Sequence, residues 1–126
     1  MSERPPFNIG PASNAADIAA VAALFRAYAA SLPVDLSYQN FEAELAALPG
    51  KYAPPKGALL LARDNAGIPI GCVALRAMDD AGCCEMKRLY VAPRGRGLGF
   101  GKALVEAICA AAQHLGYREI CLDSLP

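Results

Sequence analysis

The sequence predicts an α/β chain of the α+β kind: a mixed, mostly antiparallel twisted sheet containing a single strand-loop-helix-strand unit. Three observations carry this. Apolar runs at Ala58 to Arg63, Ile70 to Met78 and Cys83 to Val91 are separated by short turns rich in Asp, Asn and Gly, the pattern of antiparallel neighbours. Between Ser13 and Leu48 the apolar residues recur instead at three- and four-residue steps, which is helical spacing. After Val91 come a glycine-rich loop, a helical pattern and one more apolar run, the order of a parallel crossover.

Each element has its own signals. Phe7 to Gly10 reads as a short first strand. A helix starts at a cap on Ser13 or Asn14 and runs to about Ser31, with Ile18, Val21, Phe25, Tyr28 and Leu32 on its packed face and Pro33 ending it. Ser37 to Leu48 forms a second helix that packs through Phe41, Leu45 and Leu48, followed by a loop marked by Pro49-Gly50 and Pro54-Pro55. The first two long strands are joined through Asp64-Asn65-Ala66-Gly67, a hairpin signal, and Asp79 to Gly82 turns the chain into the third. Gly101 to Leu115 is a helix packing through Leu104, Ile108, Ala111 and Leu115. It closes at Gly116 and feeds strand Arg118 to Asp123.

Composition sets the class. With 126 residues the chain has room for one domain, with a core from about residue 7 to residue 124. Net charge is zero, which argues against a general nucleic-acid surface. No run approaches the roughly 18 apolar residues of a membrane helix, and the N-terminus carries no apolar segment of signal type, so a cytoplasmic location is expected. The five cysteines (72, 83, 84, 109 and 121) lack Cys-x-x-Cys spacing and read as reduced thiols, with no metal site implied. Cys83 and Cys84 should point to opposite faces of a strand. His114, the one histidine, falls late in a helix and reads as a surface residue.

The loop Arg96-Gly97-Leu98-Gly99-Phe100-Gly101, ahead of Lys102, looks like an anion cradle. Its glycines let backbone N–H groups approach a ligand, and the helix behind aims the positive end of its dipole at the same place. Two familiar phosphate loops do not fit. A nucleoside-triphosphate loop ending at Gly101-Lys102 would need glycine at Arg96 and a hydroxyl at Ala103. A dinucleotide fingerprint fails in registers starting at Gly95, Gly97 and Gly99, whose last positions are Phe100, Lys102 and Leu104. Around the loop, Lys87, Arg88, Arg94, Arg96 and Lys102 are basic, and no acid stands between Glu85 and Glu106, which suits a polyanionic small ligand.

What remains is Arg-x-x-Gly-x-Gly behind a strand ending in Val-x-Pro, filled by Arg96, Gly99 and Gly101 after Leu89-Tyr90-Val91-Ala92-Pro93. This resembles the acyl-CoA loop of the GNAT acyltransferase superfamily, and the match continues through Leu104 to Gly116-Tyr117 and strand Ile120 to Leu122. A second register, Arg94-x-x-Gly97-x-Gly99, also fits the bare pattern, although the spacing from Pro93 and to Leu104 favours Arg96. The resemblance implies direct transfer of an acetyl group from acetyl-CoA to an amine of a small molecule or peptide, with no metal. It implies that backbone groups of Leu89 and Val91 hold the pantetheine arm. The N–H groups of Gly97, Leu98, Gly99, Phe100, Gly101 and Lys102 would hold the pyrophosphate, and Arg96 would add charge-assisted contacts. Alternation along the strand places residues 85, 87, 89 and 91 on one face, which makes Glu85 the candidate general base; the alternative is that Glu85 only pairs with a neighbour such as Lys87.

Domains of that superfamily continue past the strand equivalent to Ile120-Cys121-Leu122 into another helix and a hairpin, so the reading here is of a single N-acetyltransferase-like domain over residues 1–126, incomplete at the C-terminus. Strand Arg118 to Asp123 would then expose an edge, and a homodimer through it is one way to cover it. A CoA-binding or interaction module without catalysis is the alternative function. No membrane partner is expected.

Overall fold

The computed structural model describes residues 7–33 and 40–122. One sheet carries its strands in chain order: β1 (Phe7–Pro11), β2 (Ala58–Asp64), β3 (Pro69–Ala77), β4 (Cys83–Val91) and β5 (Glu119–Leu122). The first four pair antiparallel and β5 lies parallel to β4, so the sheet is mixed and mostly antiparallel, as expected. The described residues also form α1 (Ala15–Ser31), α2 (Phe41–Ala47) and α3 (Phe100–His114). The expected start of the second helix at Ser37 and the end of the last strand at Asp123 lie outside the described residues.

Local chemistry explains where these elements begin. The Asn14 side chain accepts the Asp17 N–H at 2.8 Å, and the Asp17 carboxylate accepts the Ser13 N–H at 3.3 Å, a reciprocal cap. Arg63 of β2 donates to Asp17 at 2.8 Å and so ties the sheet to the start of α1. In the β2–β3 hairpin, one Asp64 oxygen accepts the N–H groups of Ala66 and Ile68, at 2.9 and 3.0 Å.

Strand alternation sorts the core onto two faces. On one, Val21, Leu24, Phe25, Phe41, Leu45 and Tyr52 pack on Leu59, Leu61, Cys72, Ala74 and Tyr90. On the other, Phe100, Leu104, Ile108 and Ala112 of α3 pack on Leu60, Ala62, Ile70, Val73, Leu75, Cys84 and Met86. The α3 stripe thus follows 100, 104, 108 and 112. Ala112, rather than the expected Ala111, is fully buried, because Phe100 anchors the first turn in the core and sets the helix rotation.

One irregularity in β4 overturns a sequence expectation. Opposite β3, Arg76 faces Glu85 and Ala74 faces Lys87, yet Cys72 faces Tyr90 and Gly71 faces Val91. Two steps on β3 are matched by three on β4, so Arg88 and Leu89 form a β-bulge opposite Val73. Arg88 has φ +60°, a left-handed conformation usually left to glycine and costing other residues about 1–2 kcal/mol. The bulge reverses the alternation. Residues 85, 87, 89 and 91 therefore do not share a face: Glu85 lies toward α1 and α2 with its partner Arg76, whereas Leu89 and Val91 pack in the α3 cluster.

Candidate functional site

The glycine loop lies where β4 ends and α3 begins. Pro93–Gly95 forms a 3-10 turn closed by the Gly95 N–H on Ala92 O at 2.9 Å. Gly95 is buried, and a Cβ there would come within 3.3 Å of Ile70, Val91 and Phe100 side chains. Gly97 and Gly99 have φ of +81° and +89°, conformations that need glycine. Ala103 is the residue whose N–H reaches back to Gly99 O, at 3.1 Å, so Phe100, Gly101 and Lys102 precede the helix ladder, and no acidic residue stands in the first turn. The loop is open to solvent at Leu98, which is 55% exposed. Phe100 contributes only backbone at this surface, because its ring is buried under α3.

Arg94, Arg96 and Lys102 are exposed around the loop. Arg96 is also oriented by the protein: its Nε donates to Val91 O at 3.1 Å and its guanidinium lies 6.0 Å from the Tyr90 ring centre. Arg88 does not belong to this basic rim, contrary to its place in the sequence. The bulge turns it to the opposite face of the sheet, where it is 1% exposed.

Beside the loop runs a stretch of strand edge. Among the described residues β5 pairs with β4 only from Cys83 to Met86. The Ala92 N–H donates inward to Ile70 O at 2.8 Å, so alternation aims the N–H and C=O groups of Val91 and Leu89 away from β3, toward that edge. The structure thus joins Leu89, Val91 and residues 96 to 102 in one continuous surface.

Glu85 stands apart from this surface, on the α1/α2 face. Its Oε1 accepts from Arg76 Nε at 2.8 Å and lies 2.7 Å from Arg76 Nη2, a cross-strand pair at opposed positions. The neighbour that pairs with it across the strands is Arg76.

A second polar group on that face was missed from the sequence. Glu44 of α2 accepts from Arg88 Nε and Nη2, both at 3.0 Å, and from the Tyr52 hydroxyl at 2.9 Å, with Lys51 Nζ at 3.6 Å. The Arg88 guanidinium lies 5.3 Å from the Phe41 ring centre and 5.9 Å from that of Tyr28. Burial pushes the Glu44 carboxyl up, but the hydrogen bonds and charge of Arg88 outweigh it, and the net shift is below the usual range. Burial and the adjacent Glu44 push the Tyr52 hydroxyl up. The signal in the sequence was a charged residue in phase with buried Cys84 and Met86.

The cavity of about 390 Å³ lined by Ile18, Leu60, Ala111 and Leu115 lies near the C-terminal end of α3, away from the glycine loop at its start. Among the described residues no cluster of three or more His, Cys, Asp or Glu side chains could hold a metal, and no helix is long and apolar enough to cross a membrane.

Comparison with known proteins bears on family and fold. The family model described as the acetyltransferase (GNAT) family matches residues 21–125. Over 102 residues the chain is 46% identical to an uncharacterized N-acetyltransferase of Schizosaccharomyces pombe, an alignment covering 81% of this chain and 63% of that relative. The chain thus spans less than two thirds of that relative's length. A GNAT-family acetyltransferase structure from Staphylococcus aureus superposes with a TM-score of 0.75 at 18% identity, covering 94% of this chain and 73% of that one. A ribosomal-protein-alanine N-acetyltransferase from Brucella melitensis biovar Abortus superposes with a TM-score of 0.70 at 20% identity, covering 94% and 80%. Both solved structures share the fold, and the family-model match over residues 21–125 shows that this chain belongs to the GNAT acetyltransferase family.

Proposed function

We propose that the chain carries the acyl-CoA site of an N-acyltransferase that moves an acetyl group from acetyl-CoA to an amine of a small molecule or peptide by direct attack. The observation that carries this reading is the continuity between the β4 edge at Leu89 and Val91 and the glycine loop at the start of α3. A long ligand with amide groups at one end and a pyrophosphate at the other matches that surface. Leu89 and Val91 would pair with the pantetheine amides, Val91 through its N–H, since its carbonyl already accepts from Arg96. The N–H groups of residues 97 to 102 would receive the pyrophosphate, with Arg94, Arg96 and Lys102 supplying charge.

In the reaction, the amine lone pair attacks the thioester carbonyl and the tetrahedral intermediate collapses with cleavage of the C–S bond. One proton leaves the nitrogen, and one proton reaches the departing thiolate. Glu85 is the candidate base for the first transfer. It stands on the α1/α2 face, from which an acceptor would approach, and it must loosen its pair with Arg76 to take a proton. The Brucella relative is named for acting on a ribosomal-protein alanine, which is in keeping with a peptide amine as one acceptor class.

Calorimetric titration with acetyl-CoA, followed by thiol release over a panel of amines, tests the proposal; absence of acetyl-CoA binding would end it. Glu85→Gln should slow turnover by about 10²-fold or more. Unchanged turnover would acquit Glu85. The tight Arg76 pair is the specific observation that favours the alternative, a CoA-binding module without catalysis, and binding without thiol release on any amine would favour it further.

A further inference from the structure

We infer that Arg88 is a positioning residue: its buried ion pair with Glu44 holds the β4 bulge in place, and the bulge turns the backbone of Leu89 and Val91 toward the open edge. The functional consequence rests on the reading of that edge as the acyl-CoA site. The structural part does not.

In a strand, side-chain face and hydrogen-bond direction alternate together. Cys84 and Met86 face α3, and in a regular strand residues 88 and 90 would follow them. Residues 89 and 91 would then face α1, with their N–H and C=O groups aimed into β3. The extra residue at Arg88 and Leu89 reverses this, so that Leu89 and Val91 join the α3 cluster and Ala92 makes the inward bond to Ile70. Among the described residues the ligand edge at 89 and 91 is open, and it faces outward only because the bulge turns it.

Arg88 favours the bulge twice over. With it, the guanidinium reaches Glu44 through two 3.0 Å hydrogen bonds and lies against Phe41 and Tyr28. Without it, the same side chain would enter the apolar cluster of Phe100, Leu104 and Ile108, where a charge has no counterpart. A left-handed bulge residue is ordinarily glycine. Here the ion pair does what glycine's freedom would do.

That equivalence supplies the test. In a Glu44→Gln background, which removes the buried carboxylate, Arg88→Met and Arg88→Gly are compared. Methionine can enter the α3 cluster and disfavours positive φ, whereas glycine keeps the bulge without the pair. The Met variant should bind acetyl-CoA at least about tenfold more weakly than wild type, and the Gly variant within about threefold of it, even though glycine leaves the larger void and should melt lower. In the Met variant, NMR cross-strand contacts of Cys72 should also move from Tyr90 to Leu89, a change read without any ligand. Equal acetyl-CoA binding by the two variants, or Cys72 still opposite Tyr90 in the Met variant, would overturn the inference. Failure of wild type to bind acetyl-CoA would instead sink the reading of the edge, while the NMR contacts would still decide the role of Arg88.

Discussion

The glycine loop and the Glu44–Arg88 network lie on opposite sides of β4 and are built in opposite ways. The loop is contiguous in sequence, exposed, and made of backbone: Gly97 and Gly99 supply conformation and the start of α3 supplies N–H groups. The network draws Glu44, Tyr52 and Arg88 from three separate segments into a buried contact made of side chains. The features of the loop make sense as a ligand surface. The network bears on stability, since a buried carboxylate without its partner is costly.

Substitutions can break this contrast or sharpen it. The largest effect should come from Arg88→Met in the otherwise native chain, which strands the Glu44 carboxylate; about 3 kcal/mol of folding stability should be lost in urea denaturation. A loss below about 0.5 kcal/mol would mean that the pair is ornamental. Gly101→Ala should do the reverse. A Cβ there meets only Val91 Cγ2, at 3.9 Å, so the helix should gain about 0.5–1 kcal/mol from the better helix former while acetyl-CoA affinity falls about tenfold. Stabilisation with unchanged affinity would show that no ligand passes close to Gly101.

Acid should act on the network and spare the loop. The Glu44 carboxyl is held below its ordinary value of 4.5 in the folded chain, facing Arg88, Lys51 and the Tyr52 hydroxyl. Its stabilising contribution is therefore complete above the unfolded pKa and is lost as pH falls through the folded one. Denaturation midpoints followed from pH 6 down to about pH 3 should decline less steeply in Glu44→Gln than in wild type. Identical slopes would remove Glu44 from the account of acid stability.

The smallest effect concerns thiols. Burial pushes the Cys72 thiol up to about 12, whereas Cys121 is exposed on β5. Alkylation near neutral pH, read by mass spectrometry, should label Cys121 and leave Cys72 intact until the protein unfolds. Early labelling of Cys72 would show that the core beneath Tyr90 opens more readily than its packing implies.

Legibility in the sequence follows the same division. Elements with local signals were readable: the Asn14 cap, the Asp64 to Gly67 hairpin, the Gly116 stop and the glycine spacing all act within a few residues. The faces of β4 were not readable, because period-two alternation carries no notice of an extra residue. Glu85 was therefore grouped with Leu89 and Val91, from which the bulge separates it. Glu44 looked like any solvent-facing acid of a short amphipathic helix, since its partner lies forty-four positions away.

By itself, then, the sequence determined the order of elements, the place where an anion can meet a helix start, and the family resemblance. Each of these depends on φ preferences, caps and spacing that act between near neighbours. Tertiary structure alone decided which way the β4 backbone faces, that Arg88 is interior rather than part of the basic rim, and that Arg76 is the partner of Glu85. Those outcomes depend on strand register, and register is settled by the whole sheet and by what a charged side chain can find to pair with once it is buried.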